Sequence, residues 1–483
     1  MGTNQASTRR LGRRAVVVGA SMAGLCAARV LSERFEEVRV IDRDTLPSRP
    51  EWRHQVPQGR HPHLLLVAGA RLVEGWFPGV VGELEDGGAV DVDLCRDLYW
   101  HQNGGVWRRP ASTLRGPAMS RPFLEWTVRR RLESRANVIV RGDTAVEGLI
   151  TDASRRRVAG VRLDDGAQIG SDLVVDATGR QARSLAWVET LGYEPPSTST
   201  VEVDTRYVSR IYRRVDGPTR DWKAAGVIGD PASKRLAMVL PMEDDRWIVM
   251  LGGLNGESAP TDDEGMLAYA RSFESPVVAD VMEESAPLTD PVTHRFPANQ
   301  RRHVERLRRF PLGWVLLGDA VCSFDPIYGQ GMTSAAMQAE ALGRQLDRSG
   351  AVDRSFARRY FRAAGRVVAV PWSIAVGGDF VYDGTTGKKP AGTDMLNRYM
   401  DRASIAAQHD DLVAVRMNEV IALVRRPEML MTPVFFFRVM RAARRDLAGT
   451  GATDRAEPAI PPPAARAPST PGHRGPRRST GTG

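Results

Sequence analysis

At 483 residues the chain is too long for a single hydrophobic core and predicts two or three packed lobes. Its net charge of +9 comes largely from the two ends: residues 1–14 hold four Arg and no acid, residues 449–483 carry +3, and the body is near +2, so no electrostatic case for nucleic acid arises. No window approaches eighteen uninterrupted apolar residues, the basic N-terminus lacks an apolar leader segment, and Cys26, Cys95 and Cys322 form no CxxC pair. These features predict no membrane span, no secretory signal and a reducing cytoplasm.

In chain order, residues 1–12 are expected to be disordered. Ala15–Val18 is a short β-branched apolar run, read as a buried parallel strand. A glycine turn follows, then a helix of small and apolar residues from about Met22 to Arg34, then a strand Val38–Ile41 that ends at Asp42. Together they make a βαβ unit. Ser171–Asp176 reads as another buried strand. Val201–Tyr212, Leu236–Pro241 and Trp247–Leu251 read as antiparallel strands, the last two joined across Glu243-Asp244-Asp245. They predict a sheet platform inserted into a nucleotide-binding domain, with apolar side chains such as Val239, Leu240, Trp247, Ile248 and Met250 divided between its faces. Trp314–Leu317 is a further buried strand, leading into a helix from about Met332. Residues 351–447 are helical in pattern. The tail 448–483 is rich in Pro, Ala, Gly, Ser, Thr and Arg, lacks aromatics and is expected to be disordered.

The first functional signal is Gly19-Ala20-Ser21-Met22-Ala23-Gly24, between the first strand and the first helix. Gly19 permits a tight turn, Gly24 lets helix and strand pack closely, and the helix N-terminus offers N–H groups and positive dipole to a pyrophosphate. Ser21 replaces the usual middle glycine with a small side chain. Asp42 ends the second strand, where an acid accepts hydrogen bonds from ribose hydroxyls, and Arg43 follows it.

The second signal lies about three hundred residues away, in Leu317-Gly318-Asp319-Ala320 and Phe324-Asp325-Pro326-Ile327-Tyr328-Gly329-Gln330-Gly331-Met332. It resembles the GD motif and DPxxGxG loop of flavoprotein monooxygenases of the p-hydroxybenzoate hydroxylase type. That resemblance implies an α/β protein: a Rossmann-like FAD-binding domain (13–195 and 291–350), an inserted antiparallel β-sheet substrate domain (196–290) and a helical C-terminal region (351–447). It implies that Asp319 binds the ribityl chain of FAD. The loop bearing Pro326, Gly329, Gly331 and Met332 would approach the isoalloxazine, and the next helix would aim its N-terminus at the N1–C2=O edge. Ser120-Arg121-Pro122-Phe123-Leu124 resembles the family's SRxxL, whose arginine (Arg121) contacts the flavin side. Asp172–Gly179 resembles a further segment that usually ends Ala-Asp-Gly, with Thr178 standing where that aspartate would be. The electron donor is therefore left open between NAD(P)H and a separate flavin reductase.

Together with Val56-Pro57-Gln58-Gly59-Arg60-His61-Pro62-His63-Leu64-Leu65 and Asp176-Ala177-Thr178-Gly179-Arg180, these strings resemble the flavin-dependent epoxidases of polyether antibiotic pathways, such as those of monensin and lasalocid. That resemblance places Arg60 near the flavin. It implies oxygen transfer from a C4a-hydroperoxyflavin to an alkene of an apolar, polyketide-like substrate, with O2 as co-substrate. Alkene epoxidation needs little acid–base help, and no compact triad is visible, so no catalytic side chain is assigned. Alternatives are an aromatic hydroxylase of a phenolic polyketide, a flavin-dependent alkene reductase and a non-catalytic prenyl-protein escort. Halogenases of this fold carry WxWxIP, which this chain lacks. His61-x-His63 has no third ligand nearby in sequence, so no metal site is expected. Cys322 reads as a small buried hydrophobe. Asp379 and Tyr382 read equally well as solvated loop residues.

Overall fold

The structure is a computed structural model that describes residues 10–215 and 220–449. Most of both ends expected to be disordered, residues 1–9 and 450–483, lies outside the described residues. Arg10, within the expected N-terminal disorder, is held: its guanidinium donates to the carbonyls of Ser32 (2.8 Å) and Phe35 (2.7 Å).

The βαβ unit forms as β1 (Gly12–Val18), α1 (Met22–Ser32) and β2 (Phe35–Ile41). Further along come α2 (Arg121–Glu133), β3 (Val138–Arg141) and β4 (Leu173–Asp176). The platform contributes β5 (Thr198–Arg213), β6 (Ala224–Ile228), β7 (Arg235–Met242), β8 (Arg246–Gly253), the helices α3 (Asp263–Arg271) and α4 (Val277–Glu284), and β9 (Val292–Arg302). The chain returns through β10 (Trp314–Leu316) to α5 (Gly331–Ser349) and α6 (Arg354–Asp379), then ends in α7 (Thr393–Ala407), α8 (Asp411–Ile421) and α9 (Pro433–Gly449).

One sheet is wholly parallel, in the order β10-β4-β1-β2-β3. Its strands are apolar because both faces are covered; Ala15, Val16 and Val17 of β1 and Leu173, Val174 and Val175 of β4 are fully buried. From β1 the chain runs to β2 and β3 on one side, then to β4 and β10 on the other. The switch point therefore falls between the C-terminal ends of β1 and β4, where open α/β sheets bind ligands. Gly19 sits there with φ +107°, and a Cβ on it would lie 2.6 Å from the Ala177 carbonyl oxygen. Gly24 packs more tightly still: its Cβ would stand 1.8 Å from the Gly19 oxygen.

The platform is a second, mainly antiparallel sheet with the central order β9-β5-β8-β7-β6, extended beyond β6 by Leu98–Gln102. The β7–β8 hairpin turns at the predicted acidic triplet, where Asp244 (φ 60°) and Asp245 (φ 48°) have positive φ in a three-residue loop closed by the Met242↔Arg246 pair. Along β7 and β8 the side chains alternate. Ala237, Val239, Trp247, Val249 and Leu251 pack with α3 and α4, whereas Leu236, Met238, Leu240, Ile248 and Met250 form an apolar face on the other side. The platform reaches past residue 290, because β9 pairs with β5 from Thr198↔Arg302 to Ser209↔Val292. β9 contains Pro297 and is largely polar, with Phe296 and Ala298 among its few buried apolar side chains, so its sequence carries little alternating apolar signal.

Candidate functional site

A cleft of about 1540 Å³, counting the part open to solvent, runs along the C-terminal edge of the parallel sheet to the platform. Ile41, Asp42, Arg43, Thr144 and Val146 line it beside β2; Gly19, Ser21, Met22 and Ala23 line it at α1. Asp319, Phe324, Pro326, Gly329, Gly331 and Met332 line it near α5, and Tyr207 faces it from the platform. The structure thus brings together residues that range in sequence from Val18 to Ala335.

Two helices start at this cleft. Neither Ser21 before α1 nor Gln330 before α5 caps its helix with a side chain, and neither helix has an acid in its first turn. Both leave first-turn N–H groups and positive dipole for an anionic or electron-rich ligand. Gly331 leaves open space: a Cβ on it would meet nothing within 4 Å.

Ser21 does more than keep its side chain small. Its hydroxyl accepts from Arg121 Nη2 (2.7 Å) and donates to Glu125 Oε2 (3.1 Å), tying the α1 turn to α2. Arg53, which carries no motif signal, forms the centre of this network. It ion-pairs with Glu125 (2.6 Å), Asp42 (2.9 Å) and Asp44 (3.2 Å) and is almost wholly buried. Burial works against its charge, but Glu125 and Asp42 more than offset that and hold the guanidinium above its ordinary range. Asp42 also accepts from the backbone N–H groups of Ala20 (2.6 Å) and Asp44 (2.9 Å). With Arg53, the chain itself fills about three of the four acceptor positions of this carboxylate, leaving about one for a ribose hydroxyl.

Asp319 is the opposite case. Its carboxylate is open to the cleft, and among the described residues no hydrogen bond reaches it. Its surroundings raise its pKa by desolvation, against the pull of Arg121, Arg180 and Arg302. Thr178 does not replace a free carboxylate: its N–H and hydroxyl both donate to Asp176 Oδ1, at 2.8 and 2.6 Å.

Two expected site residues do not line the cleft. Gly24 lies behind it as a packing residue. Arg60 is exposed at the end of a short turn (Pro57–Arg60), while its neighbours Gln58 and Pro62 reach the lining. Asp379 is corrected outright. It is fully buried at the C-terminal end of α6, accepting from Asn299 Nδ2 (2.6 Å) and Tyr328 OH (3.0 Å). Asn299 Oδ1 accepts from the Asp325 N–H (2.7 Å), and Asp325 accepts from the Thr205 hydroxyl. Burial raises the pKa of both carboxylates. This network anchors the DPxxGxG loop from behind. Tyr382 is half-buried against the apolar platform face. Cys322 is buried, and burial raises its thiol pKa well above the ordinary value, which removes thiolate chemistry.

Beside the cleft is a small recess of about 270 Å³, most of it open to solvent, with enclosed room for about one water molecule. Leu240, Pro241, Met242 and Ile248 of the platform line it, with Trp52, Ala118, Met119, Ser120, His61, Pro62 and His63. Pro62 and His63 line both spaces.

No protein-family model matches the sequence. Protein Rv3254 of Mycobacterium tuberculosis is 33% identical over 424 residues, covering 83% of this chain and 87% of that protein. The chain belongs to the Rv3254 family. Kynurenine 3-monooxygenase of Salinispora arenicola is 26% identical over 369 residues, covering 70% of this chain and 74% of that enzyme. Among solved structures, the flavin-dependent brominase Bmp2 superposes with a TM-score of 0.63 at 14% identity, over 90% of this chain and all of that one. PqsL of Pseudomonas aeruginosa, described as a probable FAD-dependent monooxygenase, gives 0.55 at 19% identity, over 77% of this chain and 99% of that one. The fold of this member of the Rv3254 family is therefore that of the FAD-dependent monooxygenases and halogenases. Its parallel sheet, inserted antiparallel platform and helical C-terminal region match the architecture expected from the sequence. Among the described residues no helix is long and apolar enough to cross a membrane.

Proposed function

We propose that this chain is an FAD-dependent monooxygenase that places one oxygen atom from O2 on an apolar small molecule, by epoxidation of an alkene in a polyketide-like substrate. The observation that carries the reading is one cleft that joins the α1 turn, Asp42 and Asp319 at the N-terminus of α5, next to an apolar platform face.

The residues present fit FAD. The α1 N-terminus with Arg53 and Arg121 matches a pyrophosphate, and Asp42 keeps about one acceptor position for ribose. Asp319 has an open carboxylate that ribityl hydroxyls satisfy. The N-terminus of α5 suits the electron-rich edge of a reduced isoalloxazine. When bound and reduced, FAD supplies two electrons and reactivity toward O2. The chain's own part is to bind, orient and dry the site. Leu240, Met242 and Ile248 hold an apolar substrate against the cleft and keep water away. The buried Asp325–Asn299–Asp379–Tyr328 chain fixes the loop that carries Gly329 and Gly331.

The test offers the reduced, FAD-loaded protein an alkene-bearing polyketide and a phenolic one under 18O2. Mass spectrometry is expected to find one labelled atom in an epoxide and the second in water. Product formed without oxygen would overturn the reading. Aromatic hydroxylation is the second reading, favoured by the imidazole pair in the cavity wall; ring hydroxylation of the phenol alone would establish it. NAD(P)H consumption by the purified chain, measured with and without an added flavin reductase, identifies the electron donor.

A further inference from the structure

The exposed apolar side chains of this protein are not scattered. Among the described residues ten large hydrophobic side chains are exposed, and seven of them fall between Met395 and Phe437. Single exposed apolar residues are ordinary, but a cluster bordered by charge marks an interaction surface. Helices α7 and α9 lie side by side and run in the same direction: Tyr399 stacks on Phe436 at 5.6 Å, and the Arg402 guanidinium reaches Met440 Sδ at 3.9 Å. Met395 stands one turn before Tyr399, and Val434 and Phe437 stand in the first turns of α9, so the apolar side chains gather at the N-terminal ends of both helices. Phe435, Val439 and Ala442 form the buried face of α9, whereas Val434 (82% exposed) and Phe437 (71% exposed) point outward. On that outer face the following turns carry Arg441 and Arg444, both exposed. The acid beside Met395, Asp394, is already paired with the Lys389 ammonium. Charge is concentrated in the same part of the sequence. Residues 425–483 hold eleven Arg, no Lys and four acids, a net +7 out of +9 for the whole chain, and Glu428 is the sole acid between Arg425 and Arg445. Residues 450–483 contain one large apolar side chain, Ile460, so the chain's own tail brings little that would cover the patch.

We propose that the N-terminal ends of α7 and α9 are a docking surface for an anionic phospholipid membrane: Val434 and Phe437 enter the interface, and Arg441 and Arg444 pair with lipid phosphates. The spacing suits that arrangement. At 1.5 Å per residue Arg441 follows Phe437 by about 6 Å along the helix, and interfacial helices bury their apolar side chains roughly 5–10 Å into the headgroup boundary. The aromatic ring therefore reaches the acyl boundary while the guanidinium groups stay at phosphate level, their stems lying along apolar surface. Apolar burial and attraction to anionic lipid then act together. A second copy of the chain is a poorer occupant, because a two-fold contact through this face sets one arginine-rich patch against another. Attachment of this kind is peripheral and needs no spanning helix. None of these residues lines the cofactor cleft, so the inference is independent of how that cleft is read.

The experiment floats the full-length chain with vesicles of phosphatidylcholine alone, or of phosphatidylcholine mixed with phosphatidylglycerol, at physiological salt. The wild-type protein is expected to rise with the anionic vesicles and to stay behind with the neutral ones. Val434→Ser combined with Phe437→Ser is expected to weaken partition roughly tenfold, whereas Phe437→Leu, which stays apolar, keeps most of it. Arg441→Glu combined with Arg444→Glu is expected to weaken partition roughly thirtyfold and to flatten its dependence on salt. Three results overturn the proposal: no flotation of the wild type with anionic vesicles, equal flotation with neutral ones, or undiminished flotation of the double serine variant. The last would assign the binding to the arginine-rich tail, which that variant retains. Sedimentation without lipid covers the other occupant: a dimer that the serine substitutions dissolve assigns the face to a second copy and overturns the proposal too. Circular dichroism checks the fold of each variant. If the double serine variant does not fold, Phe437→Ser alone, at a side chain 71% exposed, decides the matter.

Discussion

Asp319 faces the cleft with no hydrogen-bond donor among the described residues, so donors brought by a ligand have the most to add there. Each charge-assisted hydrogen bond is worth about 1.5–3 kcal/mol. Asp319→Ala is expected to weaken FAD binding at least tenfold while leaving the fold intact, since the side chain supports nothing else. Unchanged affinity in a flavin-fluorescence titration would remove Asp319 from the site. Gly24 acts through space instead of charge. With 1.8 Å between its missing Cβ and the Gly19 oxygen, Gly24→Val forces α1 away from β1, and both the melting temperature and the flavin content are expected to fall. His61 and His63, both driven down by burial, set a pH dependence. Their folded pKa values of about 3 lie below the ordinary 6.5, so between those limits the unfolded chain binds protons that the folded chain refuses. Stability from these groups is complete above about pH 6.5 and is lost as pH falls, by up to about 1.4 kcal/mol per pH unit for each imidazole. Urea denaturation at pH 7, 6 and 5 should show that decline, and it should be shallower in a His61→Gln, His63→Gln double variant. An equal slope in both proteins would contradict it.

Elements with a short-range pattern were legible in the sequence: the βαβ unit, the β7–β8 hairpin and the glycine loop before α5 all appear where expected. What the sequence concealed depends on distant partners. Arg53 belongs to no motif and acquires its role from Glu125, 72 residues away, because the chain after β2 runs along the cleft and meets α2. Asp379 reads as solvated until Tyr328, 51 residues earlier, is seen against it. β9 has only weak apolar alternation and is defined by pairing with β5. Arg60 has the expected neighbours but the short turn carries its side chain to solvent. Platform alternation also gives a test at this scale. Leu251 faces α3 and α4, so Leu251→Ala leaves a cavity and should cost about 2–5 kcal/mol of stability. An unchanged melting temperature in Leu251→Ala would mean that this face has been assigned to the wrong role.

For the molecule as a whole, the separation of the two half-sites in sequence has a thermodynamic consequence. Asp42 and Asp319 are 277 residues apart yet line one cleft, so a ligand spanning it binds only when the β1–β2 unit, the α5 loop and the platform are assembled. Such a ligand stabilises the whole fold by mass action, by about 2.7 kcal/mol at a hundredfold excess over its Kd. On the proposed reading, FAD spans both half-sites. FMN, which lacks the adenosine half, would leave the part of the cleft lined by Asp42, Arg43, Thr144 and Val146 without a ligand. The melting temperature of the apoprotein is therefore expected to rise with FAD concentration and to rise much less with FMN at equal concentration. Asp319→Ala should reduce the response to both flavins, because both carry the ribityl chain. A substitution confined to the adenosine end, such as Val146→Asp, should reduce the response to FAD and leave that to FMN nearly unchanged. Equal stabilisation by FAD and FMN in the wild-type protein would show that the β2 end of the cleft serves some other purpose, and the dinucleotide reading would fall with it.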